Sequence, residues 1–140
     1  MNTHKKVRVL IVDDDSMFSE SNKDLLEAYG FEVHLAVDGR SGLIMAGKLR
    51  PDIMILDVMM STDTEGFEVA RKIPERPELK DMGVILVTGM AKSLDLPAAL
   101  RPDHTWLPVD RVLEKPIPPA RLISEVERVL KEKASKKDRA

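Results

Sequence analysis

The chain lacks cysteine entirely, holds only 4% aromatic residues, and has no long apolar run among its 140 residues. Without cysteine it can form neither disulfides nor thiolate-bound metal sites, and it has no thiol nucleophile. A membrane-spanning helix needs about 18 consecutive apolar residues, and no run approaches that length. Residues 1–10 contain no signal-peptide core either. We therefore expect a cytoplasmic protein with no membrane insertion.

The chain also lacks a strong excess of charge of either sign. Its 22 basic and 24 acidic residues give a formal net charge of -2, so no general attraction to nucleic acid is expected. The exception is the basic tail at 131–140, with five basic and two acidic side chains. It is interpreted as a solvated helix end, and the alternative is a weak contact with an acidic partner.

What the sequence does contain is a regular alternation of strand and helix patterns. Three short runs are apolar nearly throughout, at 7–12, 53–56 and 84–87. A run at 31–36 alternates apolar and polar residues, and a fifth, short run lies at 111–114. Helical periods separate them, and a short helix is expected at 96–100, in a segment that contains three prolines. Runs that are apolar throughout are typical of parallel strands covered on both faces. The pattern predicts one α/β domain, a doubly wound five-stranded parallel sheet flanked by helices.

Polar residues follow these strands where the runs end. Asp13 and Asp14 follow the first run, Asp57 the third, Thr88 and Gly89 the fourth, and Lys115 the fifth. Ligand sites of such folds lie beyond the carboxyl ends of the strands. Converging carboxylates repel each other unless a cation joins them, and Mg²⁺ suits a set of one or two carboxylates plus a phosphate. A carboxylate beside Mg²⁺ and an ammonium group can act as nucleophile towards a phosphoryl group.

Four motifs in this order resemble the receiver domain of bacterial two-component response regulators, such as the chemotaxis regulators. They are VDDDS at 12–16, DIMILDVMM at 52–60, LVTG at 86–89 and EKP at 114–116. The resemblance covers residues 5–131 and leaves 132–140 as a basic tail with no output domain. It implies a flavodoxin-like receiver fold with strand order 2-1-3-4-5. It also implies phosphorylation of an aspartate by a histidine kinase or phosphotransfer protein with Mg²⁺, for which Mn²⁺ is the alternative.

Roles carried over from the family fall on matching positions. Asp57 resembles the phosphoacceptor, and the implied metal ligands are Asp13, Asp14, Asp57 and the backbone carbonyl of Met59. Thr88 would hydrogen-bond the phosphoryl oxygens, Gly89 would leave room for them, and Lys115 would pair with the phosphate. The bond between Lys115 and Pro116 is expected to be cis, a geometry that is almost restricted to proline. Asp15 is interpreted as a helix cap rather than a ligand.

The sequence departs from the family pattern in the loop after Asp57, at the switch aromatic and before the fifth strand. The family usually has a proline where Ser61 stands, and one residue fewer before Gly66. It usually has Tyr or Phe where Val112 stands, so this chain has lost its switch aromatic.

The third departure is an insertion at 101–110, which includes Trp106, Leu107 and Val109. These residues are interpreted as the end of the core. The alternative is an interface, including a homodimer through the region of a fourth helix and the fifth strand.

The sequence thus predicts a stand-alone response regulator that signals by altered docking to a target protein. It would be a phosphoacceptor that dephosphorylates itself, not a turnover enzyme. One alternative is a degenerate receiver that acts as a phosphorylation-independent interaction module, which the valine at 112 favours. A phosphatase-type hydrolase usually needs a second acid where Met59 stands, and a flavin binder would need a phosphate loop in place of the three acids.

Overall fold

The computed structural model describes residues 6–58, 60, 65–89 and 108–139. The predicted helix at 96–100 lies outside these residues. The described strands are β1 (Arg8–Val12), β2 (Glu32–Ala36), β3 (Ile53–Asp57), β4 (Gly83–Thr88) and β5 (Arg111–Glu114). Each lies within one residue of a predicted apolar run.

These strands form a parallel sheet in the order β2-β1-β3-β4-β5. Val12 lies beside Leu56 in the register of β1 and β3, and Asp57 lies beside Val87 in that of β3 and β4. The three central strands therefore end at the same level, and whatever follows them meets at one edge. The predicted fold class and strand order are confirmed.

Four described helices connect and cover the strands: α1 (Ser16–Ala28), α2 (Gly39–Leu49), α3 (Glu65–Lys72) and α4 (Pro119–Arg139). Asp15 caps α1, because its side chain accepts hydrogen bonds from the backbone of Met17 and Phe18. Asp38 caps α2 by accepting from the backbone N–H of Ser41. After α3, two 3₁₀ turns at Ile73–Glu75 and Pro77–Leu79 lead back to the sheet.

The sheet separates two hydrophobic cores. Alternate residues of β1 face opposite ways, so Leu10 and Val12 join the core beneath α2 and α3. Val9 and Ile11 join the core beneath α1 and α4. Both faces of the central strands are thus covered, which explains why their sequences are apolar throughout.

Helix α4 continues through the segment that the sequence set apart as a tail. It extends to Arg139, and two of its residues form ion pairs at the amino end of β5. Lys133 Nζ lies 3.3 Å from Asp110 Oδ1, and Glu132 forms an ion pair with Arg111. Part of the tail is therefore attached to the domain. Within the described ranges, the helices are too short or too polar to cross a membrane.

Candidate phosphoacceptor site

The carboxyl edge of the sheet gathers the polar residues that the sequence singled out. Asp57 and Thr88 are the last residues of β3 and β4, and Asp13 directly follows β1. Lys115 directly follows β5, and its backbone N–H donates to the carbonyl of Thr88 at 2.8 Å. Since these strands are consecutive neighbours in the sheet, their ends bring the four residues together.

Three carboxylates form a compact acidic cluster at this edge. Asp13, Asp14 and Asp57 each offer an oxygen within 4.8 Å of the others. Asp13 and Asp57 are only 2% and 7% exposed, whereas Asp14 is exposed. The cluster therefore has a buried side within the protein and an open side towards solvent.

Lys115 brings a positive charge to the buried side of the cluster. Its Nζ lies 2.9 Å from Asp13 Oδ2 and 3.9 Å from Asp57 Oδ1. The peptide bond from Lys115 to Pro116 is cis. Among the described residues, one ammonium group thus lies near two of the three carboxylates, and these groups together carry an excess of negative charge.

That excess acts on the protonation of Asp57. Burial and then the charge of Asp13 raise the pKa of Asp57, the Lys115 ammonium opposes them, and the net result is a pKa of about 7. Near neutral pH, a substantial fraction of the Asp57 carboxyl groups would therefore carry a proton when no further cation is bound.

This donor set fits a magnesium ion. All three side chains offer oxygen, the ligand atom that Mg²⁺ prefers, and the exposed position of Asp14 leaves room for the waters that Mg²⁺ retains. A divalent cation would also relieve the repulsion that raises the pKa of Asp57. The predicted ligand at Met59 lies outside the described residues.

Local hydrogen bonds fix the acidic cluster in place. The Asp13 N–H donates to the carbonyl of Ala36 at 3.0 Å, which ties the end of β1 to β2. The Asp15 N–H donates to Asp13 Oδ1 at 2.8 Å, and the Asp15 side chain caps α1. The interpretation of Asp15 as a helix cap is confirmed.

Sequence reasoning missed the support beneath Asp57. Gly66, near the start of α3, donates its N–H to the carbonyl of Val58 at 2.8 Å. A Cβ at Gly66 would lie 2.1 Å from the backbone oxygen of Asp57. Glycine is therefore required there so that α3 can approach the end of β3. The preceding residue, Glu65, accepts from the N–H of Gly39 and joins α3 to α2.

The remaining predicted residues fall into two groups. Trp106 and Leu107 lie outside the described residues, so the structure says nothing of them as an interface. Val109 is buried, at 8% exposure, in the core beneath α2 and α3, so in this conformation it offers no surface to a partner. Val112 is half-buried against the same core, and among the described residues a Cβ at Gly89 would meet nothing within 4 Å.

Response regulators and receiver domains of other organisms are similar to this chain in sequence, and solved receiver structures are similar to it in fold. A crystal structure of a CheY-like response regulator receiver domain protein from Methanospirillum hungatei is 30% identical, with a TM-score of 0.79. The match covers 94% of this chain and 99% of that one. The DNA-binding dual master transcriptional regulator RpaA of Synechocystis is 34% identical, over 63% of this chain and 36% of its own length.

Response regulator PleD of Caulobacter vibrioides is 41% identical, over 59% of this chain and 18% of its own length. The matched part of this chain thus spans less than half the length of either curated relative. The family model of the response regulator receiver domain matches residues 9–127. These residues include the whole acidic cluster and all five strands, except for the first residue of β1. This chain therefore belongs to the response regulator receiver domain family.

Proposed function

We propose that this receiver accepts a phosphoryl group on Asp57 from a histidine kinase or a phosphotransfer protein. The observation that carries the proposal is the placement of the Asp57 carboxylate among the oxygens of Asp13 and Asp14, with an ammonium 3.9 Å away. Asp57 sits at the end of a fully buried strand, where its backbone position is fixed.

In the proposed reaction, a carboxylate oxygen of Asp57 attacks the phosphorus of a phosphohistidine. The P–N bond breaks, its electron pair returns to the donor imidazole, and Asp57 becomes an acyl phosphate. Bound Mg²⁺, held by Asp13, Asp14 and Asp57, would supply positive charge to the transferring phosphoryl oxygens. Lys115, which follows β5 at the same edge of the sheet, supplies a further positive charge.

The structure also supports a role for the neighbouring residues after transfer. Thr88 is 2% exposed at the end of β4, and its backbone carbonyl accepts a hydrogen bond from the N–H of Lys115. We propose that its hydroxyl turns to the phosphoryl group and that Gly89 leaves space for the new oxygens. The movement would shift the domain between two pre-existing states.

The proposed output is altered docking to a target protein, with hydrolysis of the acyl phosphate by the receiver itself as the reset. The protein would then be a phosphoacceptor and not a turnover enzyme. Sustained release of phosphate from added phosphate esters would instead favour the aspartyl hydrolase that the sequence left as an alternative.

Intact mass spectrometry after incubation with acetyl phosphate tests this proposal. The wild-type protein with Mg²⁺ is expected to gain one phosphoryl group, and Asp57→Asn none. Asp81→Asn makes the same charge change at an exposed turn before β4 and should gain the group normally. A phosphoryl group on the Asp57→Asn protein, or none on the wild type, would overturn the proposal.

A second function is favoured by one specific observation. Val112 occupies the switch position, where a valine cannot make the large swing of an aromatic ring, and it is held against the core. The domain could then act as an interaction module whose docking ignores phosphorylation. Equal affinity for a target before and after beryllofluoride treatment would support this module and contradict the proposed switch.

A further inference from the structure

The Lys115 ammonium has a neighbour that the metal site and phosphoacceptor chemistry do not use. Its Nζ lies 4.2 Å from the centre of the Phe18 ring. Carboxylates of Asp13 and Asp57 lie near the same atom. The positive charge is thus placed between two acids and one aromatic ring.

The position of the Phe18 ring is set by α1. Phe18 lies in the first turn, where its N–H donates to the capping Asp15 side chain at 3.2 Å. Its carbonyl accepts from Asn22 Nδ2 at 2.9 Å. The ring is half-buried and packs against the core beneath α1 and α4. The first helical turn and the contact with the core therefore determine where the ring lies.

The position of the ring matters because a lysine side chain is otherwise loosely placed. Its four-carbon stem has many rotamers, and an ammonium group is strongly hydrated. Lys115 is 22% exposed, so water and solvent-directed rotamers compete with its place at the cluster. The negative face of an aromatic ring attracts a cation and favours the conformers in which the ammonium stays above it.

We infer that Phe18 is a positioning residue that holds the Lys115 ammonium beside Asp57, where the phosphoryl oxygens will arrive. The inference rests on the proposed phosphoacceptor function. Phe18 touches neither the phosphoryl group nor the metal in this account and acts through Lys115. It gives α1 a part in the chemistry beyond its place in the core.

Phe18→Leu and Phe18→Tyr test this inference, with Phe31→Leu as the matched control. Phe31 is also half-buried and packs against the same core, but it follows α1 and has no described contact with Lys115. The readouts are the rate of Asp57 phosphorylation by acetyl phosphate with saturating Mg²⁺ and the affinity for beryllofluoride. Thermal unfolding measures the loss of packing separately.

From the strength of a partly exposed cation–π contact, Phe18→Leu is expected to reduce both readouts about threefold to fivefold. Phe18→Tyr retains the ring face and should remain near wild type, and Phe31→Leu should lower stability alone. In a Lys115→Met background, Phe18→Leu should cause no further loss. If Phe18→Leu does not fold, Phe18→Met carries the same expectation, because its unbranched side chain can adapt to the space left by the ring.

Three results would overturn the inference. They are unchanged readouts in Phe18→Leu, a loss in Phe18→Tyr as large as that in Phe18→Leu, or the same loss from Phe18→Leu in the Lys115→Met background as in the wild type. A wild-type protein that takes no phosphoryl group would remove the proposed function, and the inference with it. A wild type that is phosphorylated normally, with Phe18 variants that match it, would remove the inference alone.

Discussion

The two edges of the sheet treat acidic residues in opposite ways. At the amino edge, Asp110 Oδ2 accepts a hydrogen bond from the backbone N–H of Val84 at 2.8 Å, and Asp110 Oδ1 pairs with Lys133. Both carboxylate oxygens therefore have a partner. At the carboxyl edge, three carboxylates lie close together, and among the described residues the Lys115 ammonium lies near two of them, those of Asp13 and Asp57. Acids with complete sets of partners stabilise a fold, whereas crowded acids with perturbed pKa values indicate a functional site.

The largest expected effect concerns the backbone under the crowded edge. Gly66→Ala would place a methyl group 2.1 Å from the Asp57 carbonyl oxygen, so α3 must move away. We expect a loss of about 3 kcal/mol or more in the free energy of unfolding, measured in urea.

Gly47→Ala is the matched control for that substitution, because its Cβ would meet its nearest neighbour at an ordinary 3.7 Å. It should stabilise α2 by up to about 1 kcal/mol. Equal effects of the two substitutions would show that the close approach at Gly66 is unimportant.

Neutralising one acid at each edge should change stability in opposite directions. At pH 8 without divalent cations, Asp57→Asn removes a crowded charge and should raise the free energy of unfolding by about 1–2 kcal/mol. Asp110→Asn weakens a satisfied pair and should lower it by about 1–2 kcal/mol. Shifts of the same sign in urea unfolding would remove the contrast between the edges.

The crowded edge should also give the apo protein a distinct dependence on pH. The pKa of Asp57 is about 7 in the folded protein against 3.8 as its ordinary value. Between these values the folded state holds more protons than the unfolded state, so stability should fall as pH rises. Thermal unfolding in EDTA from pH 4 to 8 measures this, and in Asp57→Asn this contribution should disappear.

The smallest expected effect lies in the extension of α4. Glu132 pairs with Arg111 but is about half exposed, so solvent screens the pair. Glu132→Gln should cost about 0.5 kcal/mol or less, with a smaller difference at high salt. A loss above that range would mean that this pair holds α4 to β5 more strongly than an exposed ion pair allows.

The elements and the acids of the site could be predicted from the sequence because both depend on local pattern. A buried run such as 53–56 identifies a central strand. A turn does not require an aspartate directly after such a strand, so Asp57 indicated a functional carboxylate. The same reasoning located Asp13 and Asp14 after β1, and Lys115 after β5.

Contacts between distant residues left no such pattern. Phe18 is spaced as one apolar helix stripe with Leu25, Leu26 and Tyr29, and nothing in its sequence neighbours indicates that its ring lies under Lys115. Tyr29 also fitted that stripe, but it lies at the end of α1 and is 59% exposed. Gly66 could have been noticed as a glycine in an otherwise helical pattern. The partner it approaches, however, depends on how α3 packs against β3.

The most direct test of the central claim is calorimetric titration of the metal-free protein with Mg²⁺ at pH 8. If the crowded carboxyl edge is built for a divalent cation, the wild type should bind one ion, and Asp14→Asn should weaken binding about tenfold or more. Asp110→Asn, at the satisfied edge, should bind as the wild type does. Equal weakening by the two substitutions, or no binding to the wild type, would contradict the claim.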